Sequence, residues 1–276
     1  MKNISKLSLN GKKYACLTMD FEKDYGDRVG AFNILDDRKE IKEFSNLFKE
    51  LQVPYTIFIQ TSLLENFPLA YETLQLLGDD FHCHSHTHNT KIQKNTEEIL
   101  KSSEVFYNFF GYMPLGYRAP QGVFKDGDIE TIKSAGFQFS SSIFPSYRPG
   151  KFNNLSKPQK PFRYKNGLLE IPFSVVPLIR YVISLSYIKL IGLRLNKLFY
   201  KIFGLPNILI FDSHLHDFIL NEDSFNKLPM PLKIAWGRNK NKGKEYFIKF
   251  VELLRNQGYE FITVTQLYNL LQEEDC

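Results

Sequence analysis

Short apolar runs of strand character alternate with longer segments of helical spacing along nearly the whole chain, and this alternation constrains the fold more than any other feature. Residues 14–19, 55–60, 81–84, a short piece near Tyr117, 137–139, 168–171, 208–211 and 261–264 read as strands. Between them, residues 37–51, 62–77, 95–110, 128–135 and 244–257 carry apolar side chains at helical spacing. Glycines at 78, 111, 136 and 258 fall just past four of these segments, where a left-handed terminal residue is wanted. Such alternation implies parallel strands with helices outside. Seven or eight strands over 276 residues favour an α/β barrel over an open sheet. A glycine-rich phosphate loop is absent, which counts against a nucleotide-binding fold.

The reactive residues fall into register with this pattern. Asp20, His84, Arg118 and His214 each lie at or just beyond the C-terminal end of a predicted strand, where barrel enzymes place their chemistry. All six histidines sit in two clusters, His82, His84, His86 and His88 in one and His214 and His216 in the other. Imidazole is the commonest nitrogen ligand for metals and titrates near neutrality, so clustering points to a metal ion or to proton transfer.

Four constellations carry the chemistry. In Asp20-Phe21-Glu22, alternation puts both carboxylates on one face, where they repel unless a cation lies between them or one holds a proton; nearby Asp24 makes a solvated loop the plainer alternative. In 82–88, two histidines four apart can converge on one cation if the chain turns between them, and two imidazoles with one carboxylate leave open positions for water and substrate. His82 and His86 are the expected bystanders. Arg118, before Pro120 and Gly122, can hold a carboxylate in a bidentate fork and keep it ionised. In 211–217, a histidine beside a carboxylate such as Asp217 can be held protonated and act as a general acid; His214 and His216 both qualify.

Composition sets broad limits. The 25 Phe and 15 Tyr allow a sizeable core and a sugar-stacking surface, and a net charge of +5 is too mild to imply nucleic acid, for which no motif is present. Three scattered cysteines without a CxxC argue for a reducing compartment, and alternation turns Cys83 away from its flanking histidines. No signal peptide is visible, so the expected location is cytoplasmic. Residues 175–205 hold five basic and no acidic side chains among apolar ones. That composition suits either an amphipathic segment on anionic lipid, at the inner membrane face, or a helix packed over the barrel with its lysines in solvent. The basic run 233–244 reads most simply as a solvated loop.

In order, these pieces resemble the polysaccharide deacetylases of carbohydrate esterase family four, from about Tyr14 to Leu270. His84-Ser85-x-x-His88 resembles the family's metal motif, and Arg118-x-Pro120-x-Gly122 its third motif. The resemblance implies a single domain over 1–276, a distorted (β/α)7 barrel with an insertion at about 175–205. It also implies one divalent cation, usually zinc and sometimes another first-row metal. It casts Asp20 as catalytic base, His84 and His88 as metal ligands, Glu22 as carboxylate ligand with Asp24 as its rival, and Arg118 as the tether of the base. His214, favoured over His216, is the acid. The sequence departs from the family pattern at Phe21, which separates the two acids, and at Ser140, which stands where many relatives carry an aspartate supporting the arginine. The expected reaction is hydrolysis of an N-acyl group, most simply N-acetyl, on a sugar or glycan, including a lipid-linked one. The rival readings are another amide hydrolase on this fold (a sugar-lipid deformylase, or a hydrolase of ureides or small cyclic amides) and a glycan-binding protein without turnover.

Overall fold

The computed structural model describes residues 11–78, 80–91, 95–123 and 125–273. Nine strands form the main sheet: β1 (Lys13–Phe21), β2 (Tyr55–Ile59), β3 (Asp80–Cys83), β4 (Gly116–Tyr117), β5 (Phe139–Ser140), β6 (Phe162–Arg163), β7 (Leu169–Glu170), β8 (Ile208–His214) and β9 (Tyr259–Phe261). They run in the order β8-β1-β2-β3-β4-β5-β7-β6, with β9 also on β1. Only β6 is antiparallel to its neighbour, so β1 to β5, β7 and β8 are the seven staves of a distorted (β/α)7 barrel. The ladder is interrupted between β7 and β8. There Ser174 N donates to Ile210 O at 3.2 Å and its hydroxyl accepts from Ile210 N at 2.8 Å, a side chain standing in for a strand.

Alternation sorts the apolar residues into two cores. Tyr14, Cys16, Phe58, Phe139, Leu169 and Ile210 fill the barrel interior, and Leu267 and Leu271 from the last helix close its floor. Ala15, Leu17, Met19, Phe21, Ile57, Ile59 and Phe211 face outward into the layer under the helices. Cys83 belongs to that outer layer, turned away from the interior as alternation requires.

Register then aligns the strand ends. Asp20 on β1 pairs with His214 on β8 and Phe21 with Ile59 on β2. Beyond the strand ends the ladder continues: His84 N donates to Ile59 O at 2.6 Å, Arg118 N to Cys83 O at 2.8 Å, and Ser141 N to Tyr117 O at 2.9 Å. The sequence-predicted reactive residues therefore occupy one rim.

The structure corrects three segments. The continuous helix expected over 62–77 is two, Ser62–Asn66 and Ala70–Leu77, because Pro68 forces Phe67 into extended backbone (φ −107°, ψ 105°). The strand expected over 261–264 stops at Phe261, and a helix, Val264–Glu273, begins. Thr263 and Gln266 form a capping box there, each accepting the other's backbone N–H, at 3.1 and 2.8 Å. The stretch 233–244 is mostly helical rather than a loop. Pro229 and Pro231 start a helix at Met230–Gly237, and Lys244 pairs with Glu40 at 2.9 Å.

The insertion forms a hairpin and two helices, Leu185–Ile191 and Leu193–Phe203. Its inner residues Val175, Val176, Leu185 and Ile188 are buried. No helix among the described residues is long and apolar enough to cross a membrane.

Gly243, at the start of helix Gly243–Asn256, touches the chain just beyond β8 so closely that a Cβ there would lie 1.7 Å from the Asp217 carbonyl oxygen. Neither backbone can yield without shifting the other. Gly243→Ala is expected to destabilise the fold by about 1–3 kcal/mol or more, read as a fall in the urea midpoint at constant slope. An unchanged midpoint would show that this contact is looser than the geometry requires.

Candidate active site

Asp20 and Glu22 point inward from the end of β1, as alternation anticipates, and both are buried. The turn after β3 brings His84 and His88 to meet them. Ser85 (φ 56°) and His88 (φ 63°) both adopt the left-handed conformation, which non-glycine residues take at a cost and which recurs at functional sites. Two anchors hold that turn. His88 N donates to Ser85 Oγ at 3.0 Å, and the buried Glu98, in the first turn of helix Asn95–Phe110, accepts from His86 N at 3.1 Å, Thr87 N at 2.6 Å and Thr87 Oγ1 at 2.6 Å.

Glu22 Oε2 lies 2.8 Å from His88 Nε2 and 3.5 Å from His84 Nε2. His84 Nδ1 donates to the Arg118 carbonyl at 3.1 Å, which turns Nε2 toward the carboxylate. One ligand atom from each of Glu22, His84 and His88 lies within 4.8 Å of the others. Burial would raise the Glu22 carboxyl, but His88 and His84 outweigh it and hold it well below the usual range. Its Oε2 is buried without a well-formed hydrogen bond. An ionised buried oxygen beside two oriented imidazoles is a donor set suited to a divalent cation. Asp24, the rival ligand, is engaged elsewhere: its carboxylate accepts from Ser224 Oγ at 2.5 Å and from Ile34 N at 3.3 Å. His82 lies lower in the barrel between Phe58 and Phe139, and His86 lies toward Glu65.

Arg118 is fully buried, its guanidinium 3.7 Å from the ring centroid of Phe58 and 4.4 Å from that of Phe173. The expected bidentate fork onto one carboxylate is not what forms. A single nitrogen, Nη1, contacts Asp20 Oδ1 at 2.7 Å, Asp212 Oδ1 at 3.3 Å and Thr18 Oγ1 at 3.0 Å, while Nε and Nη2 donate to Ser141 O and Oγ at 3.2 and 3.3 Å. The two flanking rings and Ser141 leave only one edge of the group to the carboxylates.

Asp212 is the residue that sequence reasoning missed. Two positions before His214 on β8, it shares that residue's inward face, and this alternation was the available signal. Burial and the neighbouring charge of Asp20 push its carboxyl up to about 7. Burial would raise Asp20 too, but His84, Arg118 and His214 prevail and hold it below its ordinary value. Two carboxylates sharing one guanidinium thus separate into an ionised and a readily protonated member. The second acid on Arg118 arrives from β8. Ser140, for its part, donates to Ser142 Oγ at 2.8 Å.

His214 Nε2 lies 3.8 Å from both Asp20 Oδ2 and Glu22 Oε1, and its Nδ1 lies 3.6 Å from Asp217 Oδ2. Burial opposes its charge, but Asp212, Asp217, Glu22 and Asp20 raise its pKa well above that of free imidazole. Asp217 is fixed in turn. It accepts from His214 N at 3.1 Å and from Ser186 Oγ at 2.9 Å, and Lys189, buried in the insertion, lies 3.4 Å from Oδ1. Burial would raise the Asp217 carboxyl, yet Lys189 and His214 hold it far below the carboxylate range. His216 is buried between Tyr25 (ring centroids 4.5 Å) and His214 (4.8 Å), and burial with the charge of His214 lowers its pKa to about 3. It is a neutral plate behind His214.

These groups open into one cavity of about 260 Å³, whose walls include Phe144, Phe173, Tyr187, Leu190 and Trp236. The comparisons with known proteins agree with the fold. The chain resembles a probable polysaccharide deacetylase of Pseudomonas aeruginosa PAO1 (13% identity, TM-score 0.61, covering 96% of this chain and 93% of that one). It also resembles the allantoinase PuuE (13%, 0.58, 94% and 89%) and BA3943 of Bacillus anthracis, a pseudoenzyme of carbohydrate esterase family four (12%, 0.53, 94% and 66%). Among curated proteins no match is found. Residues 11–140, which carry Asp20, Glu22, His84, His88 and Arg118, match the family model described as polysaccharide deacetylase. The family model thus matches the part of the chain that carries these residues, and the solved structures share its fold; in both respects the chain is similar to the polysaccharide deacetylases.

Proposed function

We propose that the protein hydrolyses an N-acyl group, most simply N-acetyl, from a sugar or glycan. The observation that supports this most is the convergence of Glu22, His84 and His88 on one point, with Asp20 and His214 facing the same cavity. Glu22 Oε2 and the Nε2 atoms of His84 and His88 would hold one divalent cation, for which zinc suits the nitrogen-rich donor set. When bound, that cation would polarise the acyl oxygen and make water acidic enough to attack near neutrality.

Asp20 takes the proton of the attacking water. Its Oδ1 is occupied by Arg118, which leaves Oδ2, turned toward His84 and His214, for that task. As the C–N bond breaks, His214 gives the proton on Nε2 to the departing nitrogen, and a carboxylate and an amine leave. Asp217 on the far side of the ring keeps His214 cationic and aimed. Arg118 acts as a positioning residue for the base.

A second reading concerns location. Leu195, Leu198 and Ile202 are 41%, 48% and 60% exposed on one face of helix Leu193–Phe203, flanked by exposed Arg194, Lys197 and Lys201. An apolar stripe edged by cations favours contact with an anionic lipid surface, and with it a lipid-linked substrate. The buried, unpaired Cys16 and Cys83 suit a reducing compartment, so we place the protein at the cytoplasmic membrane face.

Three results are expected. Asp20→Asn should retain near-stoichiometric metal while acetate release from N-acetylated oligosaccharides falls by about 10²–10⁴-fold, whereas Glu22→Gln should lose metal as well. Metal bound without release from any N-acetyl or N-formyl sugar would overturn the sugar reading, and allantoin cleavage would move the chain to the ureide hydrolases.

His214 must be protonated to act, so activity should decline as pH rises through its elevated pKa. Asp217→Asn, which keeps an oxygen for Lys189, removes a charge that raises that pKa. The alkaline limb of kcat/KM should therefore move to lower pH, and an unmoved limb would exclude His214 as the acid.

In flotation assays the protein should rise with phosphatidylglycerol vesicles but not with phosphatidylcholine vesicles, and Leu198→Glu should abolish the difference. Equal behaviour of both vesicle types would exclude the lipid contact.

A further inference from the structure

Two cations face the same cavity and take no part in the chemistry described. Arg28 ends a short 3-10 turn, Gly26–Arg28, just beyond β1, and Arg148 ends the two-residue strand Tyr147–Arg148 beyond β5. Both line the cavity that holds Glu22, His84 and His214. Among the described residues neither forms an ion pair with a carboxylate. The Arg28 guanidinium instead lies 5.6 Å from the ring centroid of Trp236. Burial and the nearby Arg148 lower the pKa of Arg28, while Glu22 opposes them. Elsewhere this protein pairs its buried cations: Arg118 meets two carboxylates and Lys189 meets Asp217. Two guanidiniums on one cavity wall, with no ion-paired carboxylate among the described residues, repel, and packing alone gives no reason to keep them together at the mouth of a site. A bound anion would remove that repulsion, and paired guanidiniums match the oxygens of a phosphate.

Resting on the deacetylase reading, we propose that the sugar acted upon carries a phosphate ester, which Arg28 and Arg148 hold while the N-acyl group lies against Asp20, Glu22 and His214. Beyond the arginines the wall is apolar, formed by Leu190, Leu232 and Trp236. Helix Met230–Gly237 continues outward with Met230 and Ile234 exposed at 66% and 63%. The phosphate oxygens are common to a free sugar phosphate and to a phosphodiester on a prenyl chain, and an apolar continuation suits the second source.

The test compares three probes on the metal-loaded protein: N-acetylglucosamine, its 1-phosphate, and its farnesyl phosphodiester in detergent micelles. Acetate release gives kcat/KM for each. Calorimetry on the Asp20→Asn variant gives Kd for the first two whether or not turnover occurs. A charge-assisted contact on each arginine predicts a phosphate preference of about tenfold or more in both readouts, falling to about one in Arg28→Gln/Arg148→Gln. Equal Kd for the sugar and its phosphate would overturn the proposal even if both are hydrolysed. A preference that survives the double substitution, as it would if phosphate merely met the metal, would overturn it too. A phosphate preference in Kd that the double substitution removes, with no acetate from any probe, would uphold the anion site and overturn the deacetylase reading instead. Within the supporting results, faster turnover of the farnesyl ester than of the 1-phosphate assigns the source to lipid, and equal turnover assigns it to free sugar phosphate.

Discussion

The site depends on one buried cation. Arg118 has no access to solvent, and a guanidinium in that position is tolerable only if its charge is answered nearby. Asp20 and Asp212 answer it, and two aromatic faces and the Ser141 carbonyl satisfy the rest of the group. Because Arg118 contacts both acids through one nitrogen, it fixes Asp20 on β1 relative to Asp212 on β8, and its own carbonyl orients the ring of His84 just beyond β3. Three strands are thereby held in one electrostatic arrangement. Removing the arginine would leave two carboxylates facing each other in a buried space.

Much of this arrangement was legible in the chain itself. Alternation along β1 identified the inward acids, and the strand–helix order identified the barrel and the rim on which Asp20, His84, Arg118 and His214 meet. What could not be read is how the turn from His84 to His88 bends, because that rests on two left-handed residues and on Glu98, a carboxylate in the following helix. Alternation with His214 shows that Asp212 faces inward, but what it meets there is set by strand pairing: Thr18 stands beside it in register, almost two hundred residues away. By contrast, Pro68 and the Thr263–Gln266 box were visible signals that periodicity overrode.

The two positions at which the sequence departs from the resemblance have a physical resolution here. Phe21 can separate the two acids because a strand returns the second to the same face after one intervening residue, and Phe21 itself is buried in the outer layer. Ser140 carries no charge, yet Arg118 meets a second carboxylate, Asp212, supplied by a different strand. The buried Glu170 meanwhile accepts from the backbone N–H groups of Ser142 and Ile143, both at 2.8 Å, and holds the segment after β5 in place.

Lys189 gives the insertion a second meaning. By composition it is one of five cations in a segment that could be trimmed as an appendage, but its ammonium lies under the barrel rim against Asp217 and the carbonyls of His216 and Asp217. Cutting the segment away would strand a carboxylate inside the protein and withdraw the support of His214. The outward-facing helix and the inner histidine are thus two ends of a single lever, and a relative lacking the insertion would have to brace its donor histidine by some other means.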